Sequence, residues 1–145
     1  MVPQVYHSEG SCHCGAIRAS LWATKPASEL EVRACQCSFC TRHGAMSVSD
    51  PAGRAAFEIE RALYTTYQFA SRTGSSLICP RCGIYAGVLL EDATGLWSVL
   101  NARGLAVAPF LGRVPAPVVY EGETAAERIA RRKRKWTPTE IKFSQ

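Results

Sequence analysis

Seven cysteines fall into three groups along the chain: Cys12-His13-Cys14-Gly15, Cys35-Gln36-Cys37-Ser38-Phe39-Cys40 and Cys79-Pro80-Arg81-Cys82-Gly83. In the third group two sulfurs sit on one tight turn, and Gly83 lets the backbone bend so that amide N–H groups can point at thiolates. Such a knuckle supplies half of a tetrahedral zinc site. The first group cannot chelate from a regular strand, because residues two apart face the same side about 7 Å from one another. A turn is required there, and Gly10 and Gly15 are positioned to provide it. Joining the two groups gives a four-cysteine site, Cys12, Cys14, Cys79 and Cys82, that staples the amino end to a distant hairpin.

The middle group is left with three sulfurs. Cys37 and Cys40 lie three apart and share one face of a helical turn, whose free N–H groups and positive dipole end favour thiolate. Three thiolates, Cys35, Cys37 and Cys40, can hold zinc while leaving one position open. A thiol entering that position would lose its proton and act as a nucleophile at neutral pH. The total of seven fits this split: four ligands close a structural site and three leave a catalytic one open. A competing arrangement closes the second site with His43, one helical turn beyond Cys40. A set of buried reduced thiols, or a thioredoxin-like Cys-x-x-Cys pair, are the other readings, and the latter lacks its βαβ setting. His7 and His13 read as solvated or supporting histidines.

The elements that must position these groups are mostly strands. Short alternating apolar runs broken by Gly, Pro and Ser predict strands over Ala16–Trp22, Leu30–Ala34, Ala56–Ile59, Leu63–Phe69, Tyr85–Leu90 and Leu96–Leu100. One helix is expected beyond them. Thr124 and Glu127 form a capping-box pattern, helix-favouring residues follow, and Pro138 marks the stop. Residues 1–122 thus read as a zinc-binding β domain and residues 123–145 as a basic helix and tail, with the Pro- and Gly-rich stretch 108–122 wrapping the domain.

The net charge of +5 is concentrated between Arg128 and Lys135, where six basic residues stand. Without them eleven cationic residues face twelve anionic ones. Seven negative charges from thiolates and four positive charges from two zinc ions would bring +5 to +2, so bulk charge is weak evidence for any partner and nucleic acid is not the expected one. No apolar run approaches the length of a membrane span, and the first residues carry no secretion signal. The expected location is the cytoplasm, where thiols stay reduced.

The run Gly10-Ser11-Cys12-His13-Cys14-Gly15, the middle group Cys35-Gln36-Cys37-Ser38-Phe39-Cys40 and the knuckle Cys79-Pro80-Arg81-Cys82-Gly83 together resemble the glutathione-dependent formaldehyde-activating enzyme family, which includes centromere protein V. The resemblance spans residues 8–104. It implies a β-tent fold of stacked antiparallel sheets, a structural zinc on the first and third groups and a catalytic zinc on the middle one. The implied activity is that of a carbon–sulfur lyase joining formaldehyde reversibly to glutathione to give S-hydroxymethylglutathione. Where the family shows Arg-Lys after the middle group, this chain has Thr41-Arg42-His43-Gly44.

Two function classes follow. One is a zinc-dependent enzyme acting on a small thiol and a small aldehyde. Arg42, Arg72, Arg81 and Arg103 would then be available for the carboxylates of glutathione, with Trp22, Phe39, Tyr67 and Tyr85 as pocket walls or core. The other is a zinc-stabilised binding module whose basic tail docks to an acidic partner.

Overall fold

The computed structural model describes residues 4–144. The chain runs through β1 (Tyr6–Ser11), β2 (Ile17–Ala23), β3 (Arg33–Cys35), α1 (Ser38–His43), β4 (Ser47–Val48), β5 (Arg54–Glu60), β6 (Thr66–Tyr67), β7 (Ser75–Ile78), β8 (Tyr85–Asp92), β9 (Gly95–Asn101), β10 (Ala116–Val118), α2 (Ala125–Lys135) and β11 (Thr137–Ser144). It is mainly β, with antiparallel pairing dominant and one C-terminal helix, as the sequence implies.

Period-two burial builds the first layer. Ile17, Ala19, Leu21 and Ala23 of β2 and Phe57 and Ile59 of β5 turn inward, as expected of strands with one face on a core. β1 pairs with β2 and β2 with β5, both antiparallel, and β11 lies parallel to β5. In the second layer β6, β7, β8 and β9 form an antiparallel meander, and β9 passes through β4 to β3, which carries β10 in parallel on its far side. The inward residues of both layers, including Leu77, Ala86, Leu89 and Leu100 from the second, share one apolar core.

β11 joins the layers. Its first residues, Thr137 and Pro138, pair with Ser98 and Trp97 of β9, and its next six, Thr139 to Ser144, pair with Ala55 to Glu60 of β5. This corrects the reading of 123–145 as a tail outside the β domain. Thr137, Thr139, Ile141 and Phe143 alternate with more exposed neighbours, so the strand follows from the same period-two rule. Pro138 stops the helix, and a strand begins around it.

Four expected strands stand close to their expected limits, as β2, β5, β8 and β9. The run Leu30–Ala34 shortens and shifts to β3, because Leu30 and Val32 drop into the core before pairing begins. The run Leu63–Phe69 keeps only Thr66 and Tyr67 as strand. Its aromatic rings cluster with Phe39 instead of alternating across a sheet, Tyr67 at 5.7 Å and Phe69 at 5.1 Å between centroids. Gly10 makes no turn either. It lies within β1, where a Cβ would stand 2.1 Å from the Leu105 carbonyl oxygen, so close approach of the chain is what requires glycine there.

A buried polar seam fixes the junction between α2 and β11. The Asp50 amide donates to Thr137 Oγ1 at 2.8 Å, Ser49 Oγ donates to the Lys135 carbonyl at 2.8 Å, and Arg33 Nη2 donates to Ser49 Oγ at 2.8 Å. The Asp50 carboxylate in turn accepts from the backbone N–H and hydroxyl of Thr24, both at 2.7 Å, and from Ala52 N–H at 3.0 Å. Burial alone would raise its pKa, but these donors outweigh burial and hold it below the usual carboxylate value of 3.8. A depressed folded pKa contributes stability that is complete above the unfolded value and disappears as pH falls through the folded one. Asp50→Asn should therefore lower the melting temperature at pH 7 and flatten its decline below about pH 4, which thermal melts across an acid pH series will show.

Candidate metal centre

The two knuckles of the first cluster are built alike. Cys12 N–H donates to Ile17 O at 2.9 Å and Gly15 N–H to Cys12 O at 3.0 Å; Cys79 N–H donates to Ile84 O at 3.0 Å and Gly83 N–H to Cys79 O at 2.8 Å. Gly15 and Gly83 adopt φ values of +83° and +79°, which side chains with a Cβ rarely occupy. Each turn aims two sulfurs at the other. Cys12 and Cys14 Sγ are 3.8 Å apart, Cys14 and Cys79 Sγ 3.6 Å, and Ile17 N–H donates to Cys12 Sγ at 3.2 Å. Four sulfurs bound about 2.3 Å from a tetrahedral zinc stand about 3.8 Å apart, so this donor set fits the ion. Cys12 and Cys79 are buried in the main core, while Cys14 is exposed.

Protonation shows the same fit. Burial raises the Cys79 thiol to about 11, whereas the N–H groups of Cys14 and Ile84 overcome burial at Cys82 and bring it to about 6. Proton-bearing and ionised sulfurs are forced side by side, and a divalent cation removes the conflict by making thiolate favourable at all four.

The middle cysteines converge at the end of β3 and the start of α1. Cys37 caps the helix, its Sγ accepting from Cys40 N–H at 3.3 Å, and Gly44 closes the helix in a left-handed turn. The sulfurs of Cys35, Cys37 and Cys40 lie within 4.8 Å of one another, and all seven cysteines are free of disulfides. A hydrogen bond from Cys40 lowers the Cys35 thiol to about 5, with a smaller electrostatic contribution from Arg131, while Cys40 is pushed strongly upward by the ionised Cys35 beside it and by burial. Three crowded sulfurs that cannot all ionise alone suit a soft cation.

His43 is not a member of this cluster. Its ring packs on Phe39 at 4.6 Å and Tyr85 at 5.3 Å between centroids, and among the described residues no other His, Cys, Asp or Glu donor joins the three sulfurs within 4.8 Å. The closed arrangement therefore finds no fourth ligand.

Cys35, Cys37 and Cys40 open onto a cavity of about 440 Å³. Phe39, Phe69, Tyr85, Val88, Val119 and Tyr120 make its apolar walls, and one side is formed by Arg128, Arg131 and Arg132 of α2. Tyr85 is fully buried apart from a small face on the cavity, and burial, with the Cys40 sulfur beside its hydroxyl, keeps the phenol well above its ordinary pKa. The four arginines expected to meet substrate are elsewhere. Arg81 faces Glu60 at 3.8 Å, Arg103 Nε donates to Gly44 O at 2.6 Å, and neither Arg42 nor Arg72 lines the cavity. Of the aromatic candidates Phe39 and Tyr85 are walls, Tyr67 backs Phe39 and Phe69, and Trp22 lies on the other sheet between His7 and Arg54.

The α2 arginines were the residues that sequence reasoning missed. They stand at i, i+3 and i+4, the spacing of one helix face, which was a readable sign that three of the six basic residues share a common direction. The helix sits where it does because Thr124 and Glu127 complete a reciprocal capping box and Trp136 is buried at its end.

A mainly β protein with one four-cysteine cluster at the edge of its core and one three-cysteine cluster facing a cavity belongs to the class of β proteins with two cysteine clusters that could each hold a metal ion. More specifically, the chain belongs to the glutathione-dependent formaldehyde-activating enzyme family, whose profile matches residues 7–101. A crystal structure of a Rhodobacter sphaeroides protein is similar, with 29% sequence identity and a TM-score of 0.55 over 74% of this chain and 98% of that one. Among the described residues no helix is long and apolar enough to cross a membrane.

Proposed function

We propose that this protein is a zinc-dependent carbon–sulfur lyase that joins a small aldehyde to a small thiol, with formaldehyde and glutathione as the family's pair. The observation that carries this reading is the placement of three cysteine sulfurs, with no fourth protein donor among the described residues, on the wall of a cavity large enough for a small ligand. Cys12, Cys14, Cys79 and Cys82 would hold a structural zinc, and Cys35, Cys37 and Cys40 a catalytic one. Bound there, zinc would supply a site that favours the deprotonated form of an entering thiol.

The reaction forms one C–S bond. A thiolate sulfur attacks the aldehyde carbon, the carbonyl electron pair moves to oxygen, and that oxygen takes a proton to give the S-hydroxymethyl product. Tyr85 presents a protonated hydroxyl beside Cys40 on the cavity wall and is the chain's own donor to that oxygen. Phe39, Phe69 and Val88 exclude water around the reacting carbon. Seven free thiols suit a reducing compartment such as the cytoplasm. The docking reading loses its main support, because three of the six basic residues face the cavity and not solvent alone.

Exchange between free and thiol-bound formaldehyde, followed by NMR with 13C-labelled formaldehyde and glutathione, tests the proposal. The zinc-loaded protein should accelerate exchange above the uncatalysed rate. Cys37→Ala should abolish the acceleration, and Tyr85→Phe should reduce it while metal content stays unchanged. Exchange at the uncatalysed rate with fully loaded protein would overturn the lyase assignment.

A further inference from the structure

Three arginines and two glutamates meet at the α2 side of the cavity, and their pairing is unequal. Glu123 takes both oxygens of its carboxylate to Arg128 and Arg131, at 3.2 Å and 2.8 Å, with a second bond from Arg131 Nη2 at 3.1 Å. Arg131 is further fixed over the Tyr120 ring at 3.5 Å, and the exposed Glu121 stands at the rim. Arg132 has no such partner. Among the described residues its guanidinium donates only from Nη1 to Thr73 Oγ1 at 3.2 Å, its buried Nε meets no acceptor, and it rests 4.6 Å above the Trp136 ring. A largely buried guanidinium with an unmet donor and no carboxylate bonded to it has room for an anion.

We infer that Arg132 anchors a carboxylate of the substrate, so that this cavity selects a thiol, or its aldehyde adduct, bearing a carboxylate at the opposite end from the sulfur. The inference rests on the open-site reading of Cys35, Cys37 and Cys40 above, and it adds a specificity determinant from a helix beyond the region matched by the family. Charge argues for a single carboxylate over a phosphate. Two glutamates against three arginines leave about one positive charge, which a monoanion balances and a dianion exceeds. Space at the anchor depends on Gly74, where a Cβ would stand 2.7 Å from Arg132 Nη1 and 2.9 Å from Val88 Cγ1.

The test uses the full chain with cobalt in place of zinc, whose visible bands report an entering sulfur. 2-Mercaptoethanol and 3-mercaptopropionate differ in the carboxylate, and the wild type should bind the latter about 10–100-fold more tightly. Arg132→Met, which keeps the apolar stem on Trp136, should bring the two within a few-fold, as should Gly74→Ala, which displaces the guanidinium without removing charge. Arg134→Gln, an exposed change on the same helix, should keep the full preference. Equal affinities in the wild type, or a preference that survives Arg132→Met, would overturn the anchor. If neither thiol perturbs cobalt, the open-site reading fails and the anchor is judged separately. Calorimetry of the zinc protein with 3-(methylthio)propionate, which has no free thiol, should then show saturable binding that Arg132→Met removes, and absence of binding to the wild type overturns it.

Discussion

Cys79→Ser or Cys12→Ser should leave no soluble, cooperatively folding protein, whereas Cys40→Ser should leave a folded one that carries a single zinc. The difference follows from where each sulfur stands. Cys12 and Cys79 lie in the main core among Ile17, Ile59, Leu77 and Ala86, and their site ties the turn after β1 to the turn after β7. Structural zinc contributes an apparent 10–16 kcal/mol or so in small zinc folds, about as much as the whole stability of a domain, roughly 5–15 kcal/mol. Losing it exceeds what the remaining packing can offset. Cys40 belongs to a small satellite cluster with Ala45 and Tyr85 at the cavity wall. Its replacement removes one buried contact and one ligand from an accessible site, a cost of about 1–3 kcal/mol, or several degrees of melting temperature. Zinc content by mass spectrometry together with thermal melts separates the two cases. Equal collapse in all three variants would mean that both sites hold the fold and that the division into structural and catalytic roles is wrong.

The two cysteine clusters were legible because their geometry is local. Cys-x-x-Cys-Gly and Cys-x-Cys-Gly fix their own turns through the positive φ of Gly83 and Gly15, so the sulfurs converge whatever lies between them in sequence. The strands β2, β5, β8 and β9 were legible for a similar reason, since each has a buried face read directly from alternation. What escaped was tertiary. Nothing within residues 124–135 says whether an amphipathic basic helix faces solvent or a cavity. That is decided by β11, which threads between the layers and swings α2 against Ser71, Thr73 and Tyr120. The run Thr137 to Ser144 has the alternation of a strand, but Pro138 within it reads first as a helix stop, and a proline is tolerated near the start of a strand.

A chain ending at Gly122 should fail to fold, although the family profile ends at residue 101 and every candidate zinc ligand would be retained. Removing β11 strips six paired positions from β5 and leaves that central strand with an open edge. It also deletes Trp136, which is buried with Leu90 and Val99 and partly covered by Ile129, and the loss of such a buried ring alone costs about 3–5 kcal/mol. The polar seam fails with it. The Asp50 N–H loses Thr137 Oγ1 and the Ser49 hydroxyl loses the Lys135 carbonyl, and each buried group left without a partner costs about 1–3 kcal/mol more. Together these exceed the stability of an ordinary domain of this size. Circular dichroism and amide NMR of the truncated chain should show loss of ordered sheet, with weak or heterogeneous zinc loading. Arg132→Met in the full chain should by contrast retain both the spectrum of the native fold and a content of two zinc ions, because the methionine keeps an apolar stem on Trp136 and the lost guanidinium faces the cavity. A truncated protein that stays soluble, melts cooperatively and holds two zinc ions would show instead that residues 123–145 are an appendage, and the placement of β11 at the join between the layers would have to be abandoned.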